Sequence, residues 1–166
     1  LDKTGIDLPG EANSIFHSLK NMGPVQLAVS AFGQTVKVTP IQLITAYASV
    51  ANDGKLVQPK MVKEIIDSDG NTVKSFDTKV IRQTVSKDTA NSLCSRLERV
   101  VTEGTGKNAY IKGYRIGGKT GTSEKIDDKN EAGEIDKRIA SFIGLAPADD
   151  PKIAVLVLLD EPNVEN

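Results

Sequence analysis

The stretch Lys119-Thr120-Gly121-Thr122 gathers residue types that can do chemistry together. One ammonium group, two hydroxyl groups and a glycine fall within four consecutive residues. A cation beside hydroxyl and backbone N–H donors can hold an anionic group such as a phosphate or a carboxylate. Which of the two it holds depends on whether the stretch belongs to a loop or to a strand.

A phosphate-binding loop is the first interpretation of this stretch. Residues 113–120 match the spacing G-x-x-x-x-G-K-[ST]. That loop must open a helix whose N-terminus faces the phosphate. Gly121 follows at once, and residues 122–130 show no apolar period of three to four residues. The context therefore disfavours a nucleotide site.

A strand carrying the same residues is the second interpretation. Residues 114–116 alternate between apolar and charged side chains, which predicts a half-buried strand running into Lys119. Lys119 and Thr120 then project to opposite faces, and Thr122 returns to the face of Thr120. Glycine inside a strand often marks close approach by a backbone or a ligand. If one edge of this strand is exposed, it can pair with an extended acyl-peptide through backbone hydrogen bonds.

Lys119-Thr120-Gly121 is also one of three signatures of penicillin-recognising serine enzymes, the penicillin-binding proteins and serine β-lactamases. Three further stretches follow the order found in class B penicillin-binding proteins: TGIDLPGE at 4–11, FGQ through ANDG at 32–54, and IASFIGLAP at 139–147. Together they cover nearly the whole chain. The chain thus resembles the class B penicillin-binding proteins, which are peptidoglycan D,D-transpeptidases.

The other two family signatures are absent from this sequence. No serine begins a Ser-x-x-Lys or a Ser-x-Asn pattern, and Ser18 and Ser123 each miss the first by one residue. In the family both motifs precede the segment that residues 4–11 resemble. The resemblance therefore predicts that residues 1–166 are the C-terminal portion of one transpeptidase domain. We expect the chain alone to be inactive, because it lacks the nucleophile.

The resemblance implies a reaction and roles for the four residues. In the family, the serine of Ser-x-x-Lys attacks a D-Ala carbonyl of a peptidoglycan stem peptide, and penicillin and other β-lactams acylate the same serine. Lys119 would hold positive potential beside that serine and attract the terminal carboxylate of the substrate. Thr120 and Thr122 would hydrogen-bond this carboxylate, and the Thr122 N–H would be one oxyanion donor. Gly121 would let the substrate lie against the strand.

Two alternatives remain open at this point. A serine β-lactamase or a β-lactam sensor domain shares Lys-Thr-Gly, although the stretch at 4–11 argues against it. A non-catalytic binding module of the same fold would be favoured if the upstream segment lacked Ser-x-x-Lys. The implied partners of the transpeptidase are the stem peptide, β-lactams and the remainder of the domain upstream.

Composition limits the function classes. A net charge of −1, 4% aromatic residues and no tryptophan leave no case for nucleic acid or an anionic membrane surface. The longest apolar run, residues 153–159, is far short of the roughly 20 residues that span a bilayer. One cysteine excludes an internal disulfide, and no metal or cofactor is expected. The family is normally anchored outside the cytoplasmic membrane, so the resemblance places an anchor upstream.

The pattern along the chain predicts an α+β fold, with helices flanking an antiparallel sheet. Amphipathic periodicity and caps indicate helices at 39–52 and 86–103. Apolar segments around turn-forming residues indicate hairpins at 61–76 and 139–159. A short strand is expected at 79–85. Residues 25–29 alternate and favour a strand, although Ala28 and Ala31 leave a helix open.

Several residues receive structural interpretations. The uninterrupted apolar run at 153–159 predicts a central strand covered on both faces. The only histidine, His17, is expected to be a surface or packing residue, and Cys94 a buried, inert thiol. The acidic turn at 67–71 does not fit a calcium loop. Residues 123–137 are expected to form a surface loop.

Overall fold

A computed structural model describes residues 3–16, 20, 22–125, 133, 135 and 137–162. The chain divides into two units, one of Leu1–Ala46 with Leu56–Arg82 and one of Tyr47–Lys55 with Gln83–Asn166. Along the chain the elements are α1 (Pro24–Ala31), α2 (Pro40–Ala51), β1 (Lys55–Val57), β2 (Glu64–Ile66), β3 (Thr72–Ser75), β4 (Val80–Gln83), α3 (Lys87–Thr102), a short 3₁₀ helix (Lys107–Ala109), β5 (Gly117–Glu124), β6 (Arg138–Ala146) and β7 (Ile153–Asp160). The predicted α+β class is confirmed.

Helix α1 corrects the strand favoured over residues 25–29. Pro24 takes the first helical position, where its missing N–H leaves no hydrogen bond unmade. Ala28 and Ala31 add helix propensity, and α1 contains no buried residue. The alternation of valine and leucine therefore does not mark the buried face of a sheet. The helix propensity of the alanines and the proline at the first helical position decide the local structure.

Helix α2 confirms the helix predicted over residues 39–52. Thr39 Oγ1 accepts from the N–H of Gln42 at 3.3 Å, and the side chain of Gln42 accepts from the N–H of Thr39 at 2.9 Å. This reciprocal pair satisfies two N–H groups at the start of the helix. The buried residues of α2 are Gln42 and Ser49, while the apolar Ile44 is only half-buried.

The predicted hairpin over residues 61–76 is confirmed by the antiparallel pair β2 and β3. Asp67 closes its turn by accepting from the N–H groups of Asp69 at 3.0 Å and Asn71 at 2.9 Å. These backbone hydrogen bonds lower the pKa of the Asp67 carboxyl. In the described ranges, no group of histidine, cysteine, aspartate and glutamate residues is arranged to hold a metal ion.

Strand β4 confirms the short strand predicted over residues 79–85, and it pairs with β1. Strand β1 was not predicted from the sequence. This strand has three residues, which is too short for an alternation of apolar and polar side chains to show.

The second unit is built on the antiparallel sheet β5-β6-β7, with α3 packed against β5. Ser86 caps α3 as predicted, with its Oγ accepting from the N–H of Thr89 at 3.2 Å. Buried side chains come from α3, from β6 and from the β6–β7 turn: Ala90, Cys94, Val101, Ile143, Leu145 and Ala148. The hairpin predicted over residues 139–159 is confirmed.

The prediction that residues 153–159 form a covered central strand is wrong. Within the described part of the chain, β7 pairs only with β6 and lies at the edge of the sheet. Ile153, Val155, Val157 and Leu159 are each about half exposed or more. An apolar run shows that a strand tolerates burial on both faces, but burial itself depends on which elements pack there.

Gly54 gives a test of backbone strain in the second unit. It has a positive φ of 79°, and an added Cβ would lie 2.1 Å from the carbonyl oxygen of Val85. Gly70 has a similar φ of 86° with nothing near the added atom. We expect Gly70→Ala to lower the free energy of unfolding by about 1–2 kcal/mol, from the left-handed backbone alone.

Gly54→Ala should lose about 2 kcal/mol more than Gly70→Ala, because the clash adds overpacking to the same backbone strain. Urea unfolding followed by circular dichroism measures both variants. Equal losses would show that Gly54 does not approach Val85 closely.

Candidate active site

The candidate residues lie in the middle of β5. They pair with β6 in a continuous register, Lys119 with Ile143, Thr120 with Phe142, Gly121 with Ser141 and Thr122 with Ala140. No strand among the described residues pairs with the other edge of β5. The strand interpretation of this stretch is therefore confirmed.

The strand begins three residues later than predicted. Residues 114–116 precede β5 and are not part of it. Gly113, at a φ of 88°, lies in a tight turn in which the N–H of Tyr114 donates to the carbonyl of Ile111 at 3.1 Å. This turn leaves Tyr114 exposed, so its alternation with Ile116 was not a strand signal.

The same geometry is incompatible with a phosphate-binding loop. Such a loop needs a helix directly after the lysine and threonine. Here β5 continues as extended chain through Glu124. The nucleotide alternative is thereby ruled out on local structure.

Two glycines allow β5 to lie close to its neighbours. A Cβ on Gly117 would meet α3, at 3.2 Å from the Leu97 Cβ and 3.1 Å from the Glu98 N. A Cβ on Gly118 would lie only 2.3 Å from the ring of Phe142. Only glycine fits at Gly118 without a shift of the ring, so these residues set the distance between β5 and the elements that carry it.

An ion-pair cluster fixes the chain at Arg115, two residues before β5 begins. The Arg115 guanidinium donates twice to the Glu98 carboxylate, both at 2.7 Å, and once to Asp149 at 2.6 Å. The carbonyl of Arg115 also accepts from the N–H of Ala148 at 2.9 Å. The cluster joins α3, the start of β5 and the β6–β7 turn. Its partners are 17 and 34 residues from Arg115, so no sequence spacing indicated it.

The candidate side chains differ in their surroundings. Lys119 is exposed, and its ammonium donates to the carbonyl of Thr120 at 2.9 Å. Thr120 is half-buried, and its hydroxyl oxygen lies 3.1 Å from that of Thr105. Gly121 and Thr122 are exposed. The four predicted residues are therefore together on one strand that solvent can reach.

Sequence reasoning missed two residues that contact this stretch. The Ser141 hydroxyl donates to the carbonyl of Gly121 at 3.2 Å, and a Cβ on Gly121 would lie 2.6 Å from that hydroxyl. Thr105 contacts Thr120 from the loop after α3. Ser141 stands within the segment at 139–147 that carries the family resemblance, whereas the signal at Thr105 is only its position between two glycines.

The remaining chemistry-bearing residues lie apart from the site. Cys94 is buried as predicted, and burial raises the pKa of its thiol, which makes the reactive thiolate scarce. His17 lies outside the described residues. The loop predicted over 123–137 is also largely outside them, and its first two residues, Ser123 and Glu124, belong to β5.

Comparison with known proteins identifies the family. Residues 1–166 match the family described as the penicillin binding protein transpeptidase domain. The chain belongs to this family. The resemblance to class B penicillin-binding proteins is thereby confirmed. The packing of β5 against α3 is therefore part of a transpeptidase domain.

Similar proteins agree with this assignment. The chain is 47% identical over 161 residues to stage V sporulation protein D of Bacillus subtilis, covering 96% of this chain and 25% of that protein. It is 31% identical over 169 residues to the peptidoglycan D,D-transpeptidase FtsI homolog of Mesostigma viride, covering 91% of this chain and 28% of the relative. The chain thus spans about a quarter of the length of these relatives.

A solved structure shows the same fold. Penicillin-binding protein 3 from Mycobacterium tuberculosis, in complex with aztreonam, superposes with a TM-score of 0.84 at 31% identity. The match covers 96% of this chain and 37% of that one. Among the helices that the structure describes, none is both long and apolar enough to cross a membrane.

The Arg115–Glu98 pair predicts a pH dependence of stability. Hydrogen bonds from Arg115 lower the pKa of the Glu98 carboxyl. A carboxyl with a lowered folded-state pKa stabilises the fold above its unfolded-state pKa, and this stability is lost as pH falls through the folded-state pKa. We expect the wild type to lose more unfolding free energy between pH 7 and about pH 3 than Glu98→Gln does.

Glu103→Gln is the matched control for this experiment. Glu103 pairs with Arg99 at 2.9 Å on the exposed surface of the same helix, where an ion pair contributes little. Urea unfolding at both pH values measures the slopes. If Glu98→Gln and Glu103→Gln show the same pH slope as the wild type, the cluster does not stabilise the entry to β5.

Proposed function

We propose that this chain is the C-terminal portion of the transpeptidase domain of a peptidoglycan D,D-transpeptidase, and that it supplies one wall of the active site. The observation that carries this proposal is β5, which presents Lys119, Thr120, Gly121 and Thr122 in extended conformation beside an edge that no described strand occupies. The family and the relatives named as D,D-transpeptidases support it.

The substrate is a peptidoglycan stem peptide that ends in a carboxylate. Thr120 and Thr122 share one face of β5, and residues two apart in a strand are separated by about 6.6 Å. A carboxylate between them can accept one O–H···O bond of about 2.7 Å from each hydroxyl. Lys119 adds positive potential to the same stretch, which favours the anionic end of the peptide.

The free edge of β5 supports the remaining contacts. An extended peptide can add to a sheet edge through backbone hydrogen bonds. Gly121 presents no side chain there, and Ser141 holds its carbonyl in place. We assign the Thr122 N–H as one oxyanion donor, which would stabilise the negative charge on the attacked carbonyl oxygen.

The chemistry requires a serine that this sequence does not provide in a Ser-x-x-Lys motif. The hydroxyl oxygen of that serine bonds to the D-Ala carbonyl carbon, the C–N amide bond breaks, and the terminal D-Ala leaves with the proton. An amine of a neighbouring stem peptide then displaces the serine and forms the cross-link. β-Lactams acylate the same serine when their ring amide opens.

We further propose where this reaction takes place and what completes it. The Ser-x-x-Lys and Ser-x-Asn segments precede residue 1 in the longer protein and form the opposite wall of the site. The longer protein is anchored to the cytoplasmic membrane, with this domain on the extracytoplasmic side, where stem peptides are cross-linked. The relative named as a peptidoglycan D,D-transpeptidase supports the proposed reaction.

Intact-mass measurement after incubation with a penicillin tests the proposed function. We expect the longer protein to gain the mass of one penicillin, and this chain alone to gain none, because removing the nucleophile of a serine enzyme abolishes covalent chemistry. A stoichiometric adduct on a serine of this chain would refute the fragment assignment. An unmodified longer protein would refute the transpeptidase assignment.

Lys119→Ala in the longer protein tests the site assignment. We expect its acylation rate constant to fall by about 100-fold or more, as for the loss of a group that stabilises charge in the reaction. Lys112→Ala is the matched control, since Lys112 is an exposed lysine in the turn before β5. Equal rates for the two variants would exclude Lys119 from the site.

A further inference from the structure

Thr105 is placed against the candidate site by the end of α3. The N–H groups of Gly104 and Gly106 both donate to the carbonyl of Val100, at 3.1 Å and 2.9 Å. A Cβ on Gly104 would lie 2.9 Å from this carbonyl oxygen, and a Cβ on Gly106 3.2 Å from it. The chain therefore folds back tightly on the last turn of α3, and Thr105 is fixed between two glycines that cannot easily be replaced.

The same helix also carries β5. Gly117 lies against Leu97 and Glu98 of α3, and Arg115 is bonded to Glu98. The loop with Thr105 and the strand with Thr120 are thus attached to one rigid element. Their hydroxyl oxygens lie 3.1 Å apart, within hydrogen-bond distance.

The number of protons on a hydroxyl decides which threonine donates. A threonine hydroxyl has one donor proton and two acceptor lone pairs. If Thr120 donated to Thr105, its only proton would be unavailable to a bound carboxylate. If Thr105 donates to Thr120, the Thr120 proton is free to bond the carboxylate, and the two bonds strengthen one another.

We infer that Thr105 is a positioning residue, which donates to the Thr120 hydroxyl and directs the Thr120 proton toward the terminal carboxylate of the substrate or the carboxylate of a β-lactam. This inference rests on the proposed function. It extends the site beyond the strand to a residue of the loop after α3. Thr105 acts through Thr120 and does not itself contact the ligand.

The experiment compares a penicillin with its methyl ester in the longer protein. The ester keeps the reactive ring but replaces the anionic carboxylate by a neutral ester, whose carbonyl oxygen is a weaker hydrogen-bond acceptor. We expect Thr105→Val to lower the second-order acylation rate constant for the acid by about tenfold, as for one lost hydrogen bond, and to lower that for the ester clearly less. Thr105→Ser keeps the hydroxyl and should restore most of the rate for the acid.

A double variant tests whether Thr105 acts through Thr120. Thr120→Val should itself slow acylation by the acid, and adding Thr105→Val should produce no further loss, because the two residues serve one hydrogen-bond chain. Thr102→Val is the matched control. The Thr102 hydroxyl donates to the carbonyl of Glu98 within α3 at 3.3 Å, so this variant should leave both rates unchanged.

Each outcome decides between the two proposals. If Thr105→Val slows the acid and the ester equally, slows neither, or is not rescued by Thr105→Ser, the positioning role is refuted while the transpeptidase assignment stands. Fully additive losses in the double variant would refute it as well. If the wild type is not acylated by penicillin at all, the proposed function fails and the role of Thr105 fails with it.

Discussion

The close approach of β5 to α3 is the constraint on which the site depends. Gly117 lies so near Leu97 and Glu98 that a Cβ would press on the helix, and Gly118 lies under the ring of Phe142. Side chains at these positions would push the strand away from its support. Because the two glycines allow this close contact, the residues that follow them lie on a strand packed directly against α3.

Arg115 fixes the direction in which the strand leaves this contact. Its guanidinium binds Glu98 and Asp149, and its carbonyl accepts from Ala148. The side chain of Glu98 is mostly shielded from solvent, whereas those of Arg115 and Asp149 are about half exposed. The bidentate contact with Glu98 therefore stabilises the cluster more than the contact with Asp149 does. The glycines allow the strand to lie close to α3, and Arg115 fixes the residues that lead into the strand. Together they hold the candidate residues on a rigid strand rather than on a loop.

The sequence predicted the parts of this arrangement that are local. Thr39 and Ser86 stand before apolar periodic segments, and both cap helices as expected. The turn-forming residues at 147–151 and the turn at Asp67 are equally local signals. The four candidate residues could be named because Lys-Thr-Gly is a short, ordered motif.

Other features depend on contacts between distant residues, and the sequence did not reveal them. The partners of Arg115 lie 17 and 34 residues away in the sequence. The hydroxyl contact between Thr105 and Thr120 joins residues that are 15 positions apart. The exposure of Val155 and Val157 on β7 has the same origin, since an apolar run does not show what packs on it. The predicted start of β5 was too early, because Gly113 has a positive φ and Tyr114 belongs to the turn that precedes the strand.

The central claim is that β5 binds the carboxylate end of an acyl-peptide ligand. A crystal structure of the complete transpeptidase domain, acylated by a penicillin, tests it most directly. The account predicts that the penicillin carboxylate accepts hydrogen bonds from Thr120 and Thr122, that Lys119 contributes positive potential from the same strand, and that the acyl chain lies along the free edge of β5. An acylated domain whose ligand carboxylate lies away from both threonines would contradict the account.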